Sequence, residues 1–522
     1  MAGGAALATA SLIAAVLPSG LSPLTAVGDE VVSLTPAGVR EAAIGFLGTA
    51  DKPVIIAAVA VITIGITALL GLAARQDRMP LALGGAALLA IGLASTGDSS
   101  PAYLPAGVAS AAGAGLVAIW VVRRLGRPAP APPRPATGQR RRPQDGARAE
   151  PRWERPRPSA GWGGKELTRR QFTLLAGGVA VVAALGQGIA SLLVSTSAAA
   201  VEAVRRTIRL PRVARPLPPP DPADSFDVPG ISPLVTSNDA FYRIDTAFIP
   251  PAVDSTSWQL RINGMVERPL TLTYDQLMAI SQVEADITLC CVSDPVGGNL
   301  ISNARWQGVR LDRLLEMAGV LHGADQIVGR SVDGFTAGMP TALALDGRAA
   351  LVAVGMNGQP LPIEHGFPAR LVVPGLYGYV SGTKWLQEIL LTTFSSFDAY
   401  WVQRGWSQPS PIRTESRIDV PQDGSSLAAG ATVIAGVAWA QHRGISGAQV
   451  RIDSGPWLPA QLAGELSIDT WRQWKLGWQA TPGMHTIEVR AVDGTGTAQT
   501  PAYSDPFPSG ATGYHTIQVT VS

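Results

Sequence analysis

Cys290 and Cys291 are the two cysteines of this chain, and they are neighbours. They stand in the run Thr288-Leu289-Cys290-Cys291-Val292-Ser293-Asp294-Pro295-Val296-Gly297-Gly298. Adjacent cysteines close only a strained small ring, so neither reads as a disulfide staple. A thiolate that follows an extended run and precedes a glycine-rich turn suits a nucleophile or a ligand for a soft metal. A metal-free thiol enzyme would want a histidine base beside it. The five histidines are His322, His365, His442, His485 and His515, none of them close in sequence to the pair.

The elements around this sulfur change character along the chain. Trp258 to Gly264 alternates like a strand ending at a turn, and Tyr274 to Ile280 reads as a short helix. Leu311 to Ala318 reads as a helix with Leu311, Leu314, Leu315 and Met317 on or near one face. Short strands mixed with short helices predict an α+β domain ending near Gly405. After Pro411 the reading is all strand, at 432–440, 447–452, 485–491 and 515–521, with turn pairs such as Pro482-Gly483 and Asp493-Gly494 between them. That spacing predicts a β-sandwich of immunoglobulin-like type held by packing alone, with Trp457, Trp471, Trp474 and Trp478 as core or interface.

Ahead of these domains the chain is apolar. Of 522 residues 46% are hydrophobic and 15% charged, which predicts a chain partly in membrane and partly globular. A span needs about 20 apolar residues. Pro53 to Ala74, Tyr103 to Val122 and Phe172 to Val194 meet that length, while Leu81 to Ser95 and Ala5 to Leu17 fall short. Net charge is only +2, yet 14 Lys and Arg lie from Arg123 to Arg170 against four acidic residues. Between apolar segments such a cluster predicts a cytoplasmic loop under the positive-inside rule, and not a nucleic-acid tail. Everything after about residue 200 is then expected outside the cytoplasm. Arg169-Arg170 before the last apolar stretch has the look of a twin-arginine export signal kept as an anchor. The apolar region holds no histidine, so it offers no paired imidazoles for haem, and no haem is expected in this chain. Residues 128–160, rich in Pro, Arg, Ala and Gly, read as a disordered linker; 210–222, with Pro211, Pro216 and Pro218 to Pro220, reads as a stiff spacer.

Five blocks occur in a recognisable order. They are Asn238-Asp239-Ala240-Phe241-Tyr242-Arg243; Asn263-Gly264-Met265-Val266-Glu267-Arg268-Pro269-Leu270; the cysteine run leading into Asn303-Ala304-Arg305-Trp306-Gln307-Gly308; Met356-Asn357-Gly358-Gln359-Pro360 with His365-Gly366-Phe367-Pro368-Ala369-Arg370; and Gly375-Leu376-Tyr377-Gly378 with Gly382-Thr383-Lys384-Trp385. From Asn238 to Ser522 the chain resembles the sulfite oxidase family of molybdopterin enzymes. The resemblance implies a molybdenum–molybdopterin cofactor ligated by one Cys thiolate. The family's spacing after the ligand points to Cys291 as catalytic and metal ligand, with Cys290 a small buried hydrophobe. It implies Arg370, Lys384, Gly382 and Thr383 at the phosphate end of the pterin. It puts Asn238, Phe241, Tyr242, Arg243 and His365 around the ring, and Ser331 as a further contact. Asp294 replaces the family's usual Asn, and Asp245 a His found in true sulfite oxidases. The implied reaction is oxygen-atom transfer.

The expected class is therefore multidomain: an α-helical transmembrane bundle, an α+β sulfite-oxidase-type molybdopterin domain, and an all-β immunoglobulin-like sandwich. The expected parts are transmembrane helices (1–125), basic linker (126–167), fifth transmembrane anchor (168–200), Pro-rich spacer (201–226), catalytic domain (227–405) and dimerisation domain (406–522). Expected partners are a small oxyanion or S- or N-oxide substrate, a separate electron-transfer partner, a membrane and a second copy bound through the last domain. True sulfite oxidases carry arginines soon after the ligand Cys; residues 292–300 contain no cation, and Arg305 is the nearest candidate. A non-catalytic binding protein on a degenerate enzyme scaffold is the competing expectation.

Overall fold

The computed structural model describes residues 196–247 and 249–522, which fall in one compact unit. The spans expected at 1–125, the linker at 126–167 and nearly all of the anchor at 168–200 lie outside the described residues.

Helical residues 196–207 lead into an extended run. The first part of the fold then comprises β1 (Gln259–Gly264), β2 (Leu270–Thr273), α1 (Tyr274–Ala279), β3 (Val283–Cys290), β4 (Ile301–Arg310), α2 (Leu311–Ala318), β5 (Gln326–Ser331), β6 (Thr336–Pro340) and α3 (Thr341–Leu345). It continues through β7 (Leu351–Met356), β8 (Gln359–Pro360), β9 (Arg370–Val372), α4 (Gly378–Ser381) and β10 (Leu386–Thr392). One sheet has the order β2-β1-β10-β5-β6, with β1 and β10 parallel. The other has the order β3-β4-β7-β8, with β9 added beside β7.

Local sequence explains the short helices. Thr273 and Gln276 form a reciprocal capping box at the start of α1. In α2, Leu311, Leu314, Leu315 and Ala318 are buried on one face, and Gly319 ends the helix at φ +70. In β1, Leu260 and Ile262 face the core while Arg261 faces out, the period of two expected of a strand with one wet face. Strand β3 differs, since Ala285 to Cys290 are all buried. Side chains on both its faces are covered, so its sequence shows no alternation.

The second part is two packed sheets. Its strands are β11 (Glu415–Val420), β12 (Ser426–Leu427), β13 (Gly430–Trp439), β14 (Ile445–Ile452), β15 (Leu458–Pro459), β16 (Gln461–Leu462), β17 (Arg472–Ala480), β18 (Gly483–Asp493) and β19 (His515–Val521). The sheet orders are β11-β13-β17-β16 and β12-β19-β18-β14-β15. Ile434, Ala438, Val450, Trp474, Ile487, Val489 and Ile517 form the core between them.

The expected class needs correction. Among the described residues no helix is long and apolar enough to cross a membrane, and the region is β-rich with few, short helices. The three-part helical, α+β and immunoglobulin-like description does not hold for it. In the first part, sheet residues outweigh the amphipathic helical stretches that suggested α+β.

The backbone of the Pro-rich segment is hydrogen-bonded along its length. Gln307 donates to Pro211 O at 2.8 Å, the Leu217 amide donates to Glu284 at 2.7 Å, and Arg305 donates to the Leu217 and Pro218 carbonyls at 3.2 and 2.8 Å. Farther on, Gly464 N donates to Ala223 O at 2.7 Å and Phe226 N to Gln473 at 2.7 Å. Residues 211–226 thus strap the β3–β4 sheet to the second part.

Candidate functional site

Strand β3 delivers the cysteines to its end, where β4 pairs Ile301 with Cys290. The loop between is closed by its own backbone. Cys291 N donates to Leu300 O at 2.9 Å, Asp294 N to Cys291 O at 3.1 Å, and Leu300 N to Asp294 Oδ1 at 2.8 Å. The pleat points the neighbours to opposite sides. Cys290 is 1% exposed within the main core, whereas Cys291 is partly exposed. Burial pushes the Cys291 thiol up to about 11, against the pull of hydrogen bonds from Ser293. Left alone it stays protonated at neutral pH, and a metal that prefers thiolate is what deprotonates it.

An aromatic wall flanks this loop. Phe241 stacks on Tyr242 at 5.4 Å between centroids and meets Trp306 and His365 edge-on at 5.6 and 5.5 Å. Tyr242 N donates to Ser302 Oγ at 3.2 Å, which ties the wall to β4. Burial first, then the neighbouring Cys291, holds the Tyr242 phenol well above its ordinary value. His365 is 2% exposed, with Nε2 3.0 Å from Asn238 O and Nδ1 without a partner. Burial, then Lys384 and Arg370, depresses it to about 3, so it is a neutral ring.

Cations gather close to that ring. Arg370 is 5% exposed, yet among the described residues no carboxylate pairs with it. Its guanidinium donates to Leu371 O and His365 O at 3.4 and 3.2 Å and lies 5.0 Å from the Trp306 ring centroid. Burial lowers it to about 10. Lys384 Nζ donates to Asp245 Oδ2 and Glu364 O, both at 3.0 Å, and Arg243 Nε reaches the same Asp245 oxygen at 3.1 Å. Burial lowers Lys384 to about 8, with Asp245 opposing. A buried guanidinium with no counter-ion is costly unless an anion completes it.

The remaining expected residues are spent differently. Gly382 permits close approach, since a methyl there would sit 3.0 Å from Gly378 O and 3.5 Å from Arg370 Nη2. Thr383 Oγ1 donates to Gly329 O at 3.3 Å in the core. Ser331 Oγ accepts from Asp333 N at 3.4 Å, closing its own turn. Arg305 is bound to Asp286 through Nε and Nη2 at 2.9 and 2.8 Å, as well as to the strap, so it is committed away from substrate. Sequence reasoning missed Asn357. Its side chain donates to Thr236 O and Asn238 Oδ1, both at 2.9 Å, and so holds the first block against the sheet. The Asn357-Gly358 pair was the available signal, because Asn tolerates the φ of +50 found there.

The donor set fits a molybdenum–pterin group. Among the described residues no three His, Cys, Asp or Glu cluster to hold a metal, so a lone thiolate needs non-protein ligands beside it. The orphaned His365 Nδ1 and the unpaired Arg370 offer a polar edge and an anion seat.

Comparisons agree with this chemistry. Residues 247–401 match the family model described as oxidoreductase molybdopterin binding domain. The chain is 29% identical over 308 residues to mitochondrial sulfite oxidase of Mus musculus, covering 50% of this chain and 56% of that protein. It is 33% identical over 167 residues to the uncharacterized oxidoreductase YuiH of Bacillus subtilis, covering 32% of this chain and 81% of YuiH. Among solved structures it is similar to the sulfane dehydrogenase SoxCD from Paracoccus pantotrophus. That likeness has a TM-score of 0.50 and 22% identity, covers 56% of this chain and 82% of that one, and speaks to the fold alone. The match to the mouse enzyme spans little more than half of that protein's length.

Proposed function

The chain belongs to the molybdopterin-binding oxidoreductases of sulfite oxidase type, and from that premise we propose that it transfers an oxygen atom to or from a small oxyanion or an S- or N-oxide. The observation that carries the reading is the pairing of a single accessible thiol at the end of β3 with a buried guanidinium, Arg370, that forms no ion pair among the described residues. When bound, the molybdenum–pterin group supplies the two-electron redox chemistry.

The chain's own residues bind and orient. Cys291 provides the thiolate ligand. Arg370, Lys384 and Arg243 hold the phosphate end, with Asp245 fixing the last two in place. Phe241 and Tyr242 wall the ring, and neutral His365 offers Nδ1 to it. Gly382 lets the backbone approach. Thr383 and Ser331 shape the two turns beside the cations and act through backbone position.

The substrate reading turns on charge. No cation lies in residues 292–300 and Arg305 is bound to Asp286. An uncharged S- or N-oxide avoids burying an unpaired anion, which favours the oxide over sulfite. Electrons pass to or from a separate partner. The apolar stretches before residue 195, with Arg169-Arg170 ahead of the last, support attachment to a membrane with this region on the outer side. A second copy joined through residues 406–522 is the assembly we propose.

Metal analysis of the purified chain tests the reading. Stoichiometric molybdenum, lost in Cys291→Ala and kept in Cys290→Ala, is expected. A native chain without molybdenum or pterin sinks it in favour of a binding protein. Turnover of sulfite in preference to dimethyl sulfoxide, with artificial electron carriers, would reverse the substrate choice.

A further inference from the structure

The glycine-rich turn after the ligand is gripped from outside its own domain. Arg417 on β11 donates through Nη1 to Gly298 O at 2.5 Å. The same guanidinium donates through Nη2 to Ser232 Oγ at 2.7 Å and through Nε to Asp419 Oδ1 at 2.7 Å. Asp419 Oδ2 in turn accepts from Ser232 N at 2.9 Å, which closes a ring of three hydrogen bonds behind the donor to the Gly298 carbonyl. Both side chains are sheltered, at 12% and 7% exposure. From the other side, His515 of β19 fills the space over Gly297. A methyl on that glycine would fall 2.2 Å from His515 Cδ2 and 2.3 Å from its Nε2. Ile418 N donates to His515 Nδ1 at 2.9 Å, so the ring's orientation is fixed by the strand that carries Arg417.

We propose that Arg417 is a positioning residue for the reaction: with His515 at its back, it fixes the turn at Gly297 and Gly298 and thereby the sulfur of Cys291. The loop has its own internal hydrogen bonds at Cys291, Asp294 and Leu300, yet these only close it upon itself. Arg417 and His515 anchor it to both sheets of the second part. A charge-assisted hydrogen bond to a carbonyl, held in a planar fork by a carboxylate and a hydroxyl, is directional in a way a lysine ammonium cannot match. The C-terminal sheets therefore take part in setting the ligand geometry of a site that lies in the other part of the fold.

This inference rests on Cys291 being the ligand, and its test reads the sulfur without any metal. In the full chain carrying Cys290→Ala, prepared without cofactor, the remaining thiol is alkylated by iodoacetamide and the rate is followed by mass. Arg417→Met is expected to raise that rate at least tenfold at a temperature well below its own melting point, which falls because Asp419 loses its partner. Asp419→Asn, which keeps shape and removes the charge behind Arg417, is expected to raise it in the same direction by less. Arg417→Lys is expected to restore little. In the cofactor-loaded chain, Arg417→Met should lower kcat with KM nearly unchanged, and should alter the molybdenum(V) paramagnetic resonance signal. An alkylation rate within twofold of the parent in both Arg417→Met and Asp419→Asn, or full rescue by Lys, overturns the proposal. If Arg417→Met does not fold, Asp419→Asn decides alone. A parent chain that binds no molybdenum defeats the functional reading instead, and the thiol measurement still stands.

Discussion

At the scale of single residues, the site holds charge that the folded chain does not satisfy by itself. Arg370 is the clearest case, buried at 5% exposure with only two backbone carbonyls as acceptors. Replacing a buried ion pair by apolar side chains of similar volume is often neutral or stabilising by about 1–4 kcal/mol, and a buried ion with no paired carboxylate has less attraction to lose. Arg370→Met is therefore expected to raise the melting temperature of the cofactor-free chain while the purified protein loses its pterin. Thermal unfolding and pterin fluorescence measure the two halves, and a lower melting temperature would count against an empty anion seat. His365 gives the acid side. Its folded value of about 3 lies below the ordinary 6.5, so between those values the unfolded chain binds the extra proton. Stability then rises with pH through that window and is lost as pH falls below about 6.5. At pH 5 the shortfall is about 2 kcal/mol, since each unit of difference is worth about 1.4. Asp294 works in the opposite sense, because burial raises its carboxyl to about 7, so the net profile alone does not isolate the histidine. The comparison of parent with His365→Gln does. On going from pH 7 to pH 5 the parent should lose about 2 kcal/mol more than the variant in chemical denaturation, and parallel losses would refute the assignment.

At the scale of elements, what was legible followed one-faced burial. The helices at 274–280 and 311–318 and the strands at 259–264 and 515–521 show clear periods because one side of each meets water. Strand β3 read as extended but showed no alternation, being covered on both faces from Ala285 onward. The cysteine block stood out by composition, while its anchor residue Arg417 belongs to a segment 126 positions from Cys291 and carries no local signal. At 211–226 the sequence showed stiffness but not contacts. Proline content says that a backbone is stiff and lacks donors, but it does not say whether the carbonyls are free or bound. Here they are bound, and Arg305 is the central clasp. Asp286 beneath it is 3% exposed. Arg305→Ala removes the partner of a buried carboxylate, which costs about 3–5 kcal/mol, and it also releases Leu217 and Pro218. We expect a matching loss in denaturant stability together with new proteolytic cleavage between residues 211 and 226. Loss of stability with an uncut strap would show that Arg305 serves only Asp286.

At the scale of the whole described region, the two parts of the fold are not independent bodies joined by a hinge. One apolar cluster contains Cys290 and Val292 from the cysteine run, Tyr377 and Tyr379 from the start of α4, and Val437, Trp439 and Trp471 from the second part. Polar contacts reinforce it two residues before the pair of cysteines. Thr288 N donates to Asp469 O at 2.9 Å, Thr288 Oγ1 accepts from Trp471 N at 2.8 Å, and Gln441 donates to Thr288 O at 3.1 Å. Trp471 itself is 3% exposed, and its Nε1 donates to Leu234 O at 3.0 Å. A core shared in this way makes unfolding of either part expose the other, so residues 227–522 should melt in one cooperative transition. Truncating a buried tryptophan costs about 3–5 kcal/mol through lost burial and the cavity left behind. Trp471→Ala should accordingly shift that single transition down without splitting it, and should loosen the cysteine loop along with the sheets. Differential scanning calorimetry decides the matter: one peak with equal calorimetric and van't Hoff enthalpies supports a shared core, whereas two separable peaks, with only the later residues responding to Trp471→Ala, would mean that the cysteine strand stands without the sheets that lean on it.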